Sequence, residues 1–413
     1  MKFFINFCDN QSIGLLSHIK KRLPYGMDDQ WMVFSHYTER GWTVDNLWHI
    51  FTDFYGGQYA PLAFLSYLVL YAGFGYDPFY FHMFSLLLHI GCVCLVWKLI
   101  SSLLRVHGGV SEKQILYVNF ITTLLFAVHP INVEAVAWIS ALKVLLYAFF
   151  YLLGLLCYLR YIRTSKIFYY VLTIGCFLCS FWGKEQAVTF PLALLIVDWF
   201  TNRNMKNLEV WSEKMSFLIM AFFFGIITVL SQGKGPYEMI FPLYQRLLFG
   251  CFALVEYITK SLLPVNLNFF YPFPIVLGEE PPLHYYLYPV VLLFLMGWII
   301  AYRNNRYLVF GVLLFLVNLL FSIHLFNMSR HAIVADRYMY LSYVGIAFLI
   351  ANGIWWLRKR LSYFKAALVF LFFYCFFLSV YTFHYTKKWE NTTMVKKYTK
   401  EVLEKRLNGS NHL

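Results

Sequence analysis

Ten apolar stretches, each near the length of a bilayer crossing, dominate this sequence: residues 79–104, 115–133, 138–159, 166–183, 187–200, 215–232, 285–302, 307–327, 338–357 and 363–384. A helix needs about 20 mostly apolar residues to cross the hydrocarbon core, where lipid offers an exposed backbone group no partner. The stretch at 187–200 is short, and Pro191 is expected to kink it. Composition agrees: of 413 residues, 60% are hydrophobic, 21% aromatic and only 13% charged, against about 25% charged in a soluble domain. A water-soluble globule could not hide so much apolar surface, which excludes a cytosolic enzyme, a secreted domain and a disordered chain. The expected fold is an all-α polytopic membrane protein with about ten spans in a single membrane domain, 1–413. The eight cysteines include Cys176 and Cys179, a CxxC pair with no second half elsewhere, so neither a zinc site nor a disulfide framework is indicated.

Basic residues orient the spans. Net charge is +13, with no basic soluble region that would indicate a nucleic-acid partner. Clusters at Arg105/Lys113, Arg160/Arg163/Lys166, Arg203/Lys206/Lys214, Arg303/Arg306 and Arg358/Lys359/Arg360 fall in alternate connections. All five can be cytoplasmic at once, the side such loops prefer. Outside then lie a first loop at 28–78, the connections 129–137, 184–186 and 328–337, a second large loop at 233–284, and a short tail at 385–413. The apolar pieces 59–74 and 243–263 have outer chain on both sides, so they read as interfacial or re-entrant helices at the mouth of an outer cavity. Residues 1–27 contain no run of spanning length, although the parity puts residue 28 outside. The expectation is that a leading span is missing from this chain.

The outer connections hold the residues suited to chemistry. Asp28-Asp29 are adjacent carboxylates, one able to act as a base while the other orients or stays solvated; the alternative is a solvated loop with an N-cap aspartate. His129 and Glu134 stand at a span end, where Pro130 breaks the helix and can turn both toward a polar ligand; equally, they can be interfacial residues in water. Arg330 and Arg337 run against the positive-inside trend, and the guanidinium fork suits phosphate; the alternative is an Asp336–Arg337 surface pair, worth little. Lys184-Glu185 read as an ion pair closing a short turn or as ligand contacts. His82 and His89 share a helix face and read as core or interfacial residues. Nucleotide loops and metalloprotease motifs are absent from the sequence.

In order along the chain, these motifs resemble the integral-membrane GT-C glycosyltransferases. The likeness is nearest to the membrane region of the transmembrane and tetratricopeptide-repeat O-mannosyltransferases and their bacterial relatives, over roughly residues 25–390. The carrying stretches are Asp28-Asp29, Tyr59-Ala60-Pro61-Leu62 with Phe74-Gly75-Tyr76-Asp77-Pro78-Phe79 and His82, and His129-Pro130 with Glu134 and Trp138. They continue with Lys184-Glu185 with Pro191 and Asp198, Leu263-Pro264-Val265-Asn266-Leu267 with Tyr271-Pro272, and Asp336-Arg337-Tyr338 with Tyr340. Ala60, Leu142 and Ser342 depart from the family's usual His, Arg and Pro. The tail after 385 is shorter than one 34-residue repeat, and the family has a span ahead of the acidic pair.

The resemblance implies inverting sugar transfer from a polyprenyl-phosphate donor to an acceptor hydroxyl of a protein or glycan at the extracytoplasmic face, in a bacterial plasma membrane. It implies Asp28 as base with Asp29 as helper, Arg337 and Arg330 on the donor phosphate, and His129, Glu134, Lys184, Glu185 and Tyr338 toward sugar or acceptor. Membrane lipid surrounds the chain, and the resemblance implies no metal and no cofactor, the lipid-linked sugar being the substrate. Two other readings stay open: a transporter or flippase of a lipid-linked glycan, and an inactive homologue truncated at its N-terminus.

Overall fold

A computed structural model describes residues 29–232, 241–325, 332–390 and 394–401; Asp28 and Arg330 lie outside the described residues. Three short helices, Asp29–Met32, His36–Glu39 and Val44–Thr52, precede the longer ones. These are α1 (Pro61–Phe74), α2 (Pro78–His107), α3 (Glu112–Val128), the short α4 (Val133–Ala137), α5 (Leu142–Thr164), α6 (Ile167–Gly183) and α7 (Phe190–Phe200). They are followed by α8 (Leu208–Gln232), α9 (Leu243–Leu262), α10 (Leu287–Ala301), α11 (Arg306–Leu319), α12 (Met339–Trp356) and α13 (Leu361–Lys387). Among the described residues there are two isolated β-bridges and no strand, as the all-α expectation requires.

Six of these helical segments are long and apolar enough to cross a membrane, or seven if α3 and α4, bent by 50° at their junction, count as one broken span. They cover six of the ten expected stretches, and the bent pair covers 115–133. The stretches 166–183 and 307–327 form shorter apolar helices, α6 with 17 residues and α11 with 14. At 187–200 the chain makes a 3-10 turn, Glu185–Thr189, and then the 11-residue α7. Pro191 sits in the first turn of α7 rather than kinking a longer helix, a position where its missing N–H is harmless.

Local chemistry sets the helix ends. Asp77 accepts a hydrogen bond from Phe79 N, with Pro78 in the first turn of α2. Asn305 caps α11 by accepting from Tyr307 N and Leu308 N. The break after α3 follows from Pro130. In an unbroken helix the Phe126 carbonyl would accept from residue 130, but proline has no N–H. Asn132 Nδ2 donates to that carbonyl instead, at 2.7 Å, so the chain turns without leaving the acceptor bare.

Contacts separate into two ends of the bundle. At one end His107 meets the Phe200 carbonyl, Arg306 the Trp199 carbonyl, and a buried ion cluster gathers Asp198, Arg203, Glu213 and Lys214 around Tyr158. These residues all belong to helix ends expected on the cytoplasmic side. At the other end stand Asp29, Trp138, Glu134 and Arg337, and Trp138 packs with Trp389 and Val395 of the tail. We call this second end outer. Between the ends, α11 and α12 touch backbone to backbone: a Cβ on Gly345 would lie 2.5 Å from the Gly311 carbonyl oxygen and 2.7 Å from Phe315 N, so small residues permit this approach.

Candidate functional site at the outer helix ends

The break between α3 and α5 builds one wall. Glu134, fully buried on α4, receives two hydrogen bonds from Arg337: the backbone N donates to Oε2 at 2.7 Å, and Nη1 donates to Oε1. The Arg337 guanidinium also lies 5.3 Å from the Trp138 ring centre and 5.1 Å from that of Tyr338, favourable positions for a cation on an aromatic face. The expected alternative of an Asp336–Arg337 pair is not formed. Asp336 is fully buried and turned the other way, accepting from the Tyr271 hydroxyl at 2.9 Å and from Asn268 N at 3.2 Å. Those bonds pin the 3-10 turn Asp336–Tyr338 that opens α12 and presents Arg337 to Glu134.

Asp29 joins this wall from the opposite end of the sequence. Its Oδ2 accepts from Trp138 Nε1 at 3.1 Å, while Oδ1 accepts from Ser140 N at 3.0 Å and from the Ser140 hydroxyl. A carboxylate so fully engaged is an orienting group. Trp138 thereby connects Asp29 and Arg337, holding one by its indole N–H and the other by its ring. Lys143, the second residue of α5 and buried, donates to Gln58 Oε1 at 2.6 Å and to Met32 Sδ at 3.5 Å, which ties the Asp29–Met32 helix to a later part of the first outer loop.

Lys184 enters from a third direction. Gly183 ends α6 against α5, where a Cβ would lie 2.8 Å from Tyr147 N; the next residue is extended, and its side chain is 3% exposed. Its ammonium sits 4.7 Å from the Tyr338 ring centre. Burial lowers the Lys184 pKa to about 8, with Glu185 working against that shift and Arg337 and Lys143 adding to it. The expected Lys184–Glu185 ion pair is not formed, because neighbouring side chains on extended backbone diverge.

Of the residues singled out in the sequence, Asp29, Glu134, Lys184, Arg337 and Tyr338 are brought together, and Glu185 opens the adjoining 3-10 turn. His129 is placed elsewhere. Its Nδ1 accepts from Ile131 N at 3.2 Å, and its ring lies 4.2 Å from that of Tyr343; it caps the turn after α3. It also lines a cavity of about 640 Å³ with His82, Leu86, Val136, Thr386 and Trp389. Asp198, part of the same motif stretch as Lys184-Glu185, lies at the other end of α7 in the ion cluster around Tyr158. Ser140 and Gln58 carried no sequence signal, and Lys143 was visible only as the neighbour of a departing motif position.

This is a helical polytopic membrane protein with cations, carboxylates and aromatic rings converging at one end of its bundle. Comparison with known proteins agrees with the resemblance drawn from the motifs. The chain is 32% identical over 189 residues to mouse protein O-mannosyl-transferase TMTC2, covering 42% of this chain and 21% of that protein. It is 31% identical over 167 residues to human protein O-mannosyl-transferase TMTC4, covering 35% and 22%, and 28% identical over 172 residues to Drosophila melanogaster protein O-mannosyl-transferase Tmtc3, covering 37% and 18%. The match thus spans about a fifth of the length of these curated relatives. No family model and no solved structure matches the chain.

Proposed function

We propose that this chain is a GT-C type glycosyltransferase that moves a sugar, mannose by analogy with its relatives, from a polyprenyl-phosphate donor to a protein hydroxyl, with inversion. The observation that carries the reading is the outer cluster in which Glu134 holds Arg337 beside Trp138 and Asp29. In this reading the acceptor oxygen attacks the anomeric carbon, the bond from that carbon to the phosphate oxygen breaks, and the phosphate leaves with the electron pair. Asp28 takes the hydroxyl proton, and Asp29 holds the adjoining chain on Trp138 and Ser140. Arg337, with Arg330, stabilises the departing phosphate, as donors aimed at developing charge do. Tyr338 and Glu185 face the sugar or acceptor. The cavity beside α4, with its apolar lining from Leu86, Val133 and Val136, receives the first isoprene units of the donor. The relatives named above are animal proteins, so the proposed location is the non-cytoplasmic face of a membrane, without commitment to a bacterial one.

The test is transfer by the purified chain in lipid nanodiscs, using radiolabelled polyprenyl-phosphate mannose and a hydroxyl-bearing acceptor peptide. Mannose on the peptide with inverted configuration is expected. Movement of intact donor across a vesicle membrane without transfer would favour the transporter reading instead.

A further inference from the structure

Lys184 is a buried cation with no counter-ion among the described residues. Among the described residues its ammonium has no hydrogen-bond acceptor and no carboxylate within ion-pair distance; its neighbour is the Tyr338 ring at 4.7 Å. Arg337 contrasts with it, since Glu134 already balances that charge. A buried charge with no partner destabilises a fold by several kcal/mol, so retaining one at a site points to an anion that arrives with the ligand. Both cations lie against the same ring, Lys184 Nζ at 4.7 Å and Arg337 Cζ at 5.1 Å from its centre. Arg337 is also near enough to help depress the Lys184 pKa, and one phosphate can bond two neighbouring cations through different oxygens.

We infer that Lys184 is a direct ligand of the donor's phosphodiester, the cation that supplies the charge Arg337 has already given to Glu134. This rests on the polyprenyl-phosphate reading and assigns Lys184 to the phosphate rather than to the sugar. The groups that face it are Glu185, Arg337, Lys143 and the Tyr338 hydroxyl. With a pKa lowered to about 8, Lys184 carries its charge at neutral pH and loses it in mild alkali. A phosphodiester keeps its single charge throughout, so any alkaline loss of affinity is read from the protein.

The experiment measures binding of a short-chain polyprenyl-phosphate mannose to the full chain in neutral-lipid nanodiscs, for wild type, Lys184→Met, Lys184→Arg and Arg337→Ala. Lys184→Met is expected to weaken binding about 10- to 150-fold, the size of a lost charge-assisted hydrogen bond, and Lys184→Arg to stay within about fivefold of wild type, since it keeps the charge. Wild-type affinity should fall as pH rises through about 8, while Lys184→Arg holds. The melting temperature of Lys184→Met should equal or exceed that of wild type, because an unpaired buried charge has been removed. Donor binding by Lys184→Met equal to wild type, or a melting temperature that collapses while Lys184→Arg also fails to bind, overturns the assignment. Phosphatidylglycerol competing as tightly as the donor would overturn the donor as the anion's source. A wild-type chain that binds no donor, with Lys184-independent capture of inorganic phosphate, sinks the polyprenyl-phosphate reading itself.

Discussion

Arg337 and Glu134 are separated by 203 positions in the chain and joined by two hydrogen bonds, one from the backbone N and one from the guanidinium. Glu134 is fully buried, so the pair behaves as one unit. Breaking a buried pair by removing one partner typically costs 3–5 kcal/mol, because the other charge is stranded. Glu134→Ala should therefore lower the melting temperature markedly. Adding Arg337→Met to it should recover part of the loss, and thermal denaturation of the two single variants and the double variant measures that coupling. Strictly additive losses would mean that the pair carries no coupling.

Donor binding reads Arg337 differently. A phosphate held by its guanidinium is stabilised by about 1.5–3 kcal/mol, so Arg337→Ala should raise the donor Kd roughly 10- to 150-fold. Arg337→Lys should recover only part, because the planar fork is lost and Glu134 keeps only one of its donors in place. Isothermal titration with the donor checks both; unchanged Kd values in Arg337→Ala would remove this residue from the phosphate site.

The two aspartates should separate by effect. Asp28→Asn is expected to lower turnover by about 10²–10⁴, the usual contribution of a general base, with donor affinity nearly unchanged. Asp29→Asn should act on the fold: an amide in place of the carboxylate cannot satisfy Trp138 Nε1, Ser140 N and the Ser140 hydroxyl together. A loss of about 1.5–3 kcal/mol in stability is expected, seen as a lower melting temperature and an altered Trp138 emission. Normal transfer by Asp28→Asn would show that the base lies elsewhere.

Gly345 should tolerate no side chain. Its Cβ would meet backbone atoms of Gly311 and Phe315 at 2.5 and 2.7 Å, which cannot swing aside as a side chain does. Gly345→Leu should separate α11 from α12, at a cost of about 1–3 kcal/mol or more. Because α12 begins just after Arg337, donor affinity should fall with stability. A variant as heat-stable as wild type would mean that the two helices pack less closely than found.

Orientation is testable by labelling. In a chain whose native cysteines are replaced, single cysteines at Arg358 and Arg163 should resist an impermeant thiol reagent in sealed membranes presenting the outer face. One at Glu390 should react. Reaction at 358 under those conditions would reverse the scheme.

Long apolar runs, alternating basic clusters and helix-end chemistry made the helical class, most helix positions and the Pro130 break legible in the sequence, because each depends on residues within a few turns of one another. Span length was less legible: α7 is cut to 11 residues because the chain first makes a 3-10 turn, and apolarity alone does not distinguish a helix from the turn leading into it. Membership of the outer cluster was partly legible for Asp29, Glu134, Lys184 and Arg337, since polar residues at span ends are few. Their partners were not. Adjacency in sequence paired Asp336 with Arg337 and Lys184 with Glu185, but consecutive side chains point apart. Only the packing of α4 against the start of α12 could give Arg337 to Glu134, send Asp336 to Tyr271 and leave Lys184 on a tyrosine ring, because each partner lies tens to hundreds of residues away and is chosen by burial.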